Sequence, residues 1–508
     1  MGGRAGPDSF VIRLPAPNSM VPSTDHPQTS LALLGHRVAE LGLLLYVIFA
    51  PHSIAAAEIS VAIAFLGWLA RALATSATGL RRSRVDLVIL LFLLWTAVSS
   101  FLSAEPSISI LKLQSCWVVL LFYLTRAIVT KRSAIVLVWV LILSGMAGAI
   151  YSVYDLVRGR GVVVESLQDN SPFRQVAVGP GDTIWRVDGR RVYSTIDIDE
   201  AIRTAQVERP ISVSIISQGE HVERPGLMVA AAQQSQPSPA GVVGSARSHR
   251  FRASGWTRHY ETFSELLQII AQLALGLALA NLRNHGANKY FKVAIVAASL
   301  LMLGIALTAM RTVLVAFVLG ACLIAWRSAR GITKVALTFA MFFVLAFGAV
   351  VVWQTRAKDA LSFADPSTSL RGQVARVGFS RILLHPLFGH GMDAMKMHWN
   401  EWGFPGKDML HLHSTPMQLA FDRGLPALFL WLWLMFGFWR SIARAERRAS
   451  DMSDTNTYGI LLGALGALTG FFASSLVNYN YGDGEVALLF WWLMGIAVVL
   501  ERSVQEQD

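Results

Sequence analysis

The stretch 411-HLHSTPMQLAFDRGLPALFLW-431 places His411 and His413 two residues apart, just before an apolar run. An imidazole changes charge near neutral pH, so His413 is a candidate general base. On an extended backbone His411 points the same way, which makes it a second candidate. The plainer reading of either is an interfacial histidine that packs against, or caps, the helix that follows. Other basic residues stand at the edges of apolar runs: Arg252, Arg258 and His259 in 252-RASGWTRHYETFSELL-267, and Arg311 in 308-TAMRTVLVAF-317. Guanidinium groups grip phosphate oxygens in pairs of hydrogen bonds, so Arg252 and Arg311 together suit a diphosphate. The alternative for Arg311 is a side chain that snorkels to lipid headgroups. A zinc set can be drawn from His390, His411 and His413, but the chain has no HExxH, and the nearby carboxylates have no recognised metal spacing. The expected site uses neither metal nor cofactor.

The scaffold that must position these groups is a membrane one. Of 508 residues, 54% are hydrophobic and 15% charged. A helix needs about 20 mostly apolar residues to cross hydrocarbon. Twelve runs are read as spans, at 33–50, 53–72, 85–103, 108–128, 134–154, 261–282, 290–309, 311–327, 333–353, 425–443, 457–478 and 484–501. Arg71, Arg81, Arg82, Arg84, Lys131, Arg132, Arg283, Arg327, Lys334, Arg440 and Arg444 then share one side, which the positive-inside rule makes the cytoplasm. The net charge of +11 therefore follows topology, and no nucleic-acid partner is expected. Cys116 and Cys322 lie inside apolar runs without metal or redox spacing.

The expected fold is an all-α polytopic membrane protein with a small α+β domain inserted. Its expected order is a disordered cytoplasmic tail (1–30), helices one to five (31–154), the inserted domain (155–230), a flexible linker (231–258), helices six to nine (259–353), a catalytic loop (354–424), helices ten to twelve (425–502) and a short tail (503–508). Both long segments, roughly 155–260 and 354–424, then face out of the cell or into a periplasm. A transporter is the alternative of another class, but it would often show internal repeats and broken midplane helices, and no clear repeat occurs here.

Residues 161–205 show a β-branched run, a turn at Pro180-Gly181-Asp182, a strand-turn-strand about Asp188-Gly189 and an amphipathic stretch to Ala205; the strand 211-ISVSIIS-217 follows. This order resembles a bacterial PDZ domain. The resemblance implies peptide binding by strand addition or docking to a protein partner, although no carboxylate-binding loop precedes Gly161.

Four motifs recur together: R-x-x-G from Arg252, T-x-x-R-T ending at Thr312, HPLFGHGMD at 385–393, and H-S-x-x-x-Q-L-x-x-x-x-G-L from His413 to Leu425. The set resembles the O-antigen ligase and polymerase superfamily, which includes bacterial protein O-oligosaccharyltransferases. The resemblance implies a metal-independent enzyme of the bacterial inner membrane. Such an enzyme takes a glycan from undecaprenyl pyrophosphate and passes it to a hydroxyl at the periplasmic face. The acceptor is lipid A core for a ligase, a second lipid-linked repeat for a polymerase and a protein for an oligosaccharyltransferase. By motif, Arg252 and Arg311 match arginines that hold the pyrophosphate, His413 matches the base, and Arg371 matches a recurrent arginine. Arg258, His259, His411 and Gln418 complete the candidate set. Ser414 follows His413 where the family often has Asn, and Met310 precedes Arg311 where Ser is common. With a good leaving group, cations and one base suffice, and inversion at the anomeric carbon is expected.

Overall fold

The computed structural model describes residues 30–506 apart from 208, 218–219, 245, 258, 337, 339–365, 407–410 and 453. Arg258, nearly all of the polar N-terminal stretch and most of the expected span 333–353 lie outside the described residues. Among the described residues, ten helices are long and apolar enough to cross a membrane: Ser30–Phe49, Ile54–Thr75, Pro106–Ile128, Lys131–Arg158, Tyr260–His285, Lys289–Leu307, Arg311–Ser328, Leu425–Ala449, Thr455–Ser475 and Gly484–Gln505. The apolar helix Asp86–Leu102 adds a shorter one of 17 residues. The chain is a multi-pass membrane protein.

Three of these helices form the middle of the bundle. Tyr260–His285, Thr455–Ser475 and Gly484–Gln505 are buried over most of their length, so their apolar residues face other helices on all sides. Two of them approach closely because glycines meet. A Cβ on Gly276 would lie 2.4 Å from both the Gly459 carbonyl and the Gly463 nitrogen. Small residues at such crossings let backbones pack where no hydrophobic force separates helix from lipid.

Pro106–Ile128 is not one regular helix. Residues Leu113–Val119 form a 3-10 turn series between the α-helical pieces Pro106–Lys112 and Leu120–Ile128. Runs of this length are uncommon and often mark functional segments. Here the irregular run borders a cavity described below.

Three ion pairs tie helices together at the end of the bundle away from the histidines. Arg126 pairs with Asp86, Lys131 with Asp454 at 2.7 Å, and Arg327 with Glu446. This is the basic end anticipated from the loops.

The inserted domain contains β1 (Val162–Val163), β2 (Ser166–Leu167), β3 (Thr183–Val187), β4 (Arg190–Arg191), a helix Thr195–Thr204, β5 (Ile211–Ser217) and β6 (Glu220–Leu227). The strands run β1-β3-β5-β6, with β4 on β3, all antiparallel. Positive φ at Asp188 (49°) and Gly189 (77°) suits the tight β3–β4 hairpin. Ser194 caps the helix through a reciprocal box with Asp197. Its core joins Val162, Phe173, Ile184, Ile198, Ile202, Val213 and Leu227.

Within residues 231–258, expected to be a flexible linker, the described segment 240–243 is docked on the inserted domain. Val242–Val243 forms β7, antiparallel to β2, and Ala240 and Val242 are buried in the domain core. The apolar side chains in 240-AGVV-243 explain the difference, because they complete a core that the shorter domain leaves open.

Candidate active site

The HPLFGHGMD motif is mostly architecture. Backbone hydrogen bonds run from Ala104 N to Gly389 O (3.3 Å), Glu105 N to His390 O (3.0 Å), His390 N to Phe421 O (2.7 Å), Gly391 N to Asp422 O (3.0 Å) and Leu425 N to Pro386 O (2.7 Å). The motif therefore ties the end of Asp86–Leu102 to the short helix Thr415–Arg423. Gly389 has φ 71°, and a Cβ there would lie 2.5 Å from the Asp422 carbonyl carbon, so only glycine fits. His390 is buried against Phe421 and Trp402, with Nε2 3.0 Å from Arg381 O. The imagined zinc triad is thus not assembled, and among the described residues no group of His, Cys, Asp and Glu forms a metal cluster.

The histidine loop is pinned from behind. Gln418 Oε1 accepts from Leu412 N at 2.8 Å, and Gln418 Nε2 donates to Asp422 Oδ1 at 2.8 Å. Thr415 Oγ1 donates to Asn480 Oδ1 at 3.0 Å, and its backbone nitrogen donates to Asn478 O at 3.1 Å. Held this way, the rings of His411 and His413 meet edge to face at 4.3 Å, and His413 N donates to His411 Nδ1 at 3.3 Å. His413 has φ 52°, a left-handed conformation unusual for a residue with a Cβ. Both of its ring nitrogens are buried without a hydrogen-bond partner among the described residues. Strain and unsatisfied polar atoms of this kind concentrate at functional sites. Burial, reinforced by His411 and Arg371, pushes the His413 imidazole down to about 3; burial with Lys396 and Arg371 pushes His411 down to about 4. Both rings are therefore neutral at pH 7, with lone pairs able to accept a proton.

A cavity of about 400 Å³ opens beside this loop. His259, His411, Gln418, Glu261 and Asp422 line it, together with Lys112, Lys396, Asp393, Tyr479 and Asp483. His411, rather than His413, faces it. A second cavity of about 280 Å³ shares Lys112, Asp393, Asp422, Tyr479 and Gly482 and extends along the irregular 113–119 segment. Lys112 and Lys396 pair with Asp393 at 2.9 and 3.0 Å, leaving a net positive lining at that corner. Burial pushes the Asp422 carboxyl up to about 7.

The sequence-predicted basic residues sit on separate elements, and of them His259 and His411 line the cavity. His259 caps Tyr260–His285 by accepting from Glu261 N at 3.3 Å. Arg252 lies over the Tyr260 ring at 4.6 Å, and both Arg252 and Arg371 interact electrostatically with Glu261. Arg371 also interacts electrostatically with both histidines. Arg311 is the first residue of Arg311–Ser328, exposed, with no hydrogen bond or ion pair among the described residues. Its neighbour Thr312 accepts from Asn478 Nδ2 at 3.2 Å, and that amide also donates to the buried Glu265 carboxylate at 3.1 Å. The structure thus brings His259, His411 and Gln418 to one cavity, sets His413 against His411, and leaves Arg252 and Arg371 in electrostatic reach of Glu261 on its wall.

Sequence reasoning passed over Asp422, Asp393, Glu261, Asp483, Lys112 and Lys396. The i,i+4 spacing of Gln418 and Asp422 on a short helix was the one readable signal.

Residues 296–432 match the O-antigen ligase family. A separate segment, 145–223, matches a PDZ domain. No curated protein matches the chain. The O-antigen ligase segment contains Arg311, Arg371, the HPLFGHGMD motif, both histidines, Gln418 and Asp422. Arg252 and the last two helices lie outside it. The match supports ligase-like glycosyl transfer as the activity, carried out in a membrane on lipid-linked glycan, with a PDZ domain inserted ahead of the ligase segment.

Proposed function

We propose that the protein transfers a glycan from undecaprenyl pyrophosphate to a lipid A core hydroxyl at the periplasmic face of a bacterial inner membrane. The observation that carries this reading is the unpartnered His413 imidazole, on a strained backbone within the O-antigen ligase segment, packed on His411 at the wall of a cavity that Lys112 and Lys396 also line. The basic, ion-paired end of the bundle supports a cytoplasmic placement for that face and a periplasmic one for the cavity.

In this mechanism the acceptor oxygen attacks the anomeric carbon as the bond from that carbon to the pyrophosphate oxygen breaks, inverting the centre. The acceptor proton passes to a ring nitrogen of His413, and the pyrophosphate leaves with its charge held by Arg252, Arg311 and Arg371. The low basicity of the free imidazole is offset when the donor brings negative charge beside it. His411 is the second reading for the base, because it is the ring that faces the cavity.

The test uses purified protein in lipid, an undecaprenyl-pyrophosphate glycan and lipid A core, with the acceptor mass as readout. Transfer that is lost in His413→Ala and kept in His411→Ala supports the proposal. The reverse pattern moves the base to His411. An unmodified lipid A core with sound donor and folded protein rejects it as acceptor and directs the assay to a lipid-linked repeat or a protein.

A further inference from the structure

The extended segment 160–168 of the PDZ domain, which carries β1 and β2, has two edges. One pairs with the domain's own sheet, where Val164 N donates to Asp182 O at 2.8 Å and Gly181 N to Val164 O at 2.8 Å. The other edge is covered by residues that follow the domain. Gln168 N donates to Gly241 O (2.9 Å), Glu165 N to Val243 O (2.8 Å) and Val163 N to Ala246 O (3.0 Å), and Arg160 and Ser248 exchange bonds of 2.8 and 3.0 Å.

The helix Thr195–Thr204 grips the same segment from its other side. The Asp199 carboxylate accepts from Ala240 N at 2.9 Å and from Ser238 Oγ at 3.2 Å, and Arg203 donates to Pro237 O at 2.6 Å. Val242 enters the domain core. An antiparallel strand added to an edge, with an apolar side chain taken into a pocket, is how such domains bind peptides. The matched domain ends at residue 223, so the occupant is not one of its own strands. Gly244 fits because it lacks a side chain: a Cβ there would sit 1.9 Å from Val163 O.

The occupant leads directly to the rim of the active site. Phe251 is buried, with the Arg160 guanidinium 4.6 Å above its ring, and Ala253 N donates to Leu307 O at 3.0 Å. Trp256 stacks on Tyr151 at 4.3 Å. Arg252 lies between these anchors, four positions past Ser248.

We propose that residues 237–248 are a built-in ligand of the PDZ domain, and that their seat in the groove holds Arg252 at the donor site. A strand from another chain enters only by displacing them, which loosens Arg252. The second half rests on the donor role of Arg252 proposed above. A tethered occupant acts at an effective concentration of order mM, so a free peptide of micromolar affinity is outcompeted roughly a thousandfold.

The experiment uses the full chain in lipid nanodiscs and a fluorescein-labelled synthetic peptide of residues 237–248. Two variants change the strap alone, Gly244→Val and Val242→Asp, so that failure of one to fold leaves the other. Each folded variant should bind the peptide at least tenfold more tightly than wild type and show faster hydrogen exchange over 249–256. Equal binding to wild type and variants, or none to a folded variant, overturns the built-in ligand. Donor KM should rise about tenfold in the same variants. An unchanged KM alongside a raised KM in Arg252→Ala overturns the coupling; an unchanged KM in all three overturns the donor role of Arg252 while peptide capture still supports the built-in ligand.

Discussion

Gln418 donates to Asp422 at 2.8 Å across one turn of a short helix, while its other amide atom holds the Leu412 backbone. One buried amide thereby sets both the cavity carboxyl and the loop that carries the histidines. Gln418→Ala would leave the Leu412 N–H and the Asp422 carboxyl short of a partner, at a cost of about 1–3 kcal/mol each. The expected outcome is a lower thermal midpoint and at least tenfold slower transfer. Activity kept at wild-type level with a lowered midpoint would mean that the amide serves folding alone.

Asp422 titrates at about 7 in the folded protein, raised chiefly by burial, against roughly 4 in an unfolded chain. Between those values the folded state binds more protons than the unfolded one, so this group's stabilising contribution is present below pH ~4 and lost as pH rises through about 7. Asp422→Asn should therefore gain midpoint relative to wild type at pH 8 and show no gain at pH 4. Parallel midpoint curves for the two proteins would contradict the raised carboxyl.

His411 and His413 have the opposite signature. Burial lowers their imidazoles to about 4 and about 3, whereas an unfolded histidine titrates near ~6.5. The unfolded chain then binds more protons as pH falls below ~6.5, and stability drops toward acid. A His411→Gln, His413→Gln double variant should flatten the midpoint curve between pH 6.5 and 4. In transfer, His413→Gln is expected to lose about a hundredfold or more, as a general base does.

Arg371 interacts electrostatically with both histidines and with Glu261, and Arg252 interacts with Glu261. Loss of a charge-assisted bond to the donor diphosphate costs about 1.5–3 kcal/mol, so Arg371→Ala and Arg252→Ala should raise donor KM about ten- to a hundredfold. Lysine at either position keeps the charge without the planar fork and should recover only part of the loss. Full recovery by lysine would indicate steering of the donor by charge rather than paired hydrogen bonds.

Long apolar runs, basic loops and turn signals determine local outcomes, and here they sufficed for the ten long apolar helices among the described residues and for the β3–β4 hairpin at Asp188-Gly189. Those features depend on residues close in sequence, where hydropathy, capping and positive φ act directly. What the tertiary structure decided is which distant groups share a space. Lys112 meets Asp393 and Thr262 meets Asp483 only after the helices pack. Likewise 240-AGVV-243 reads as linker until the groove between segment 160–168 and helix Thr195–Thr204 exists to receive it. Desolvation and pairing are properties of that assembled space, so the charge states of Asp422 and His413 belong to the fold and not to the string of residues.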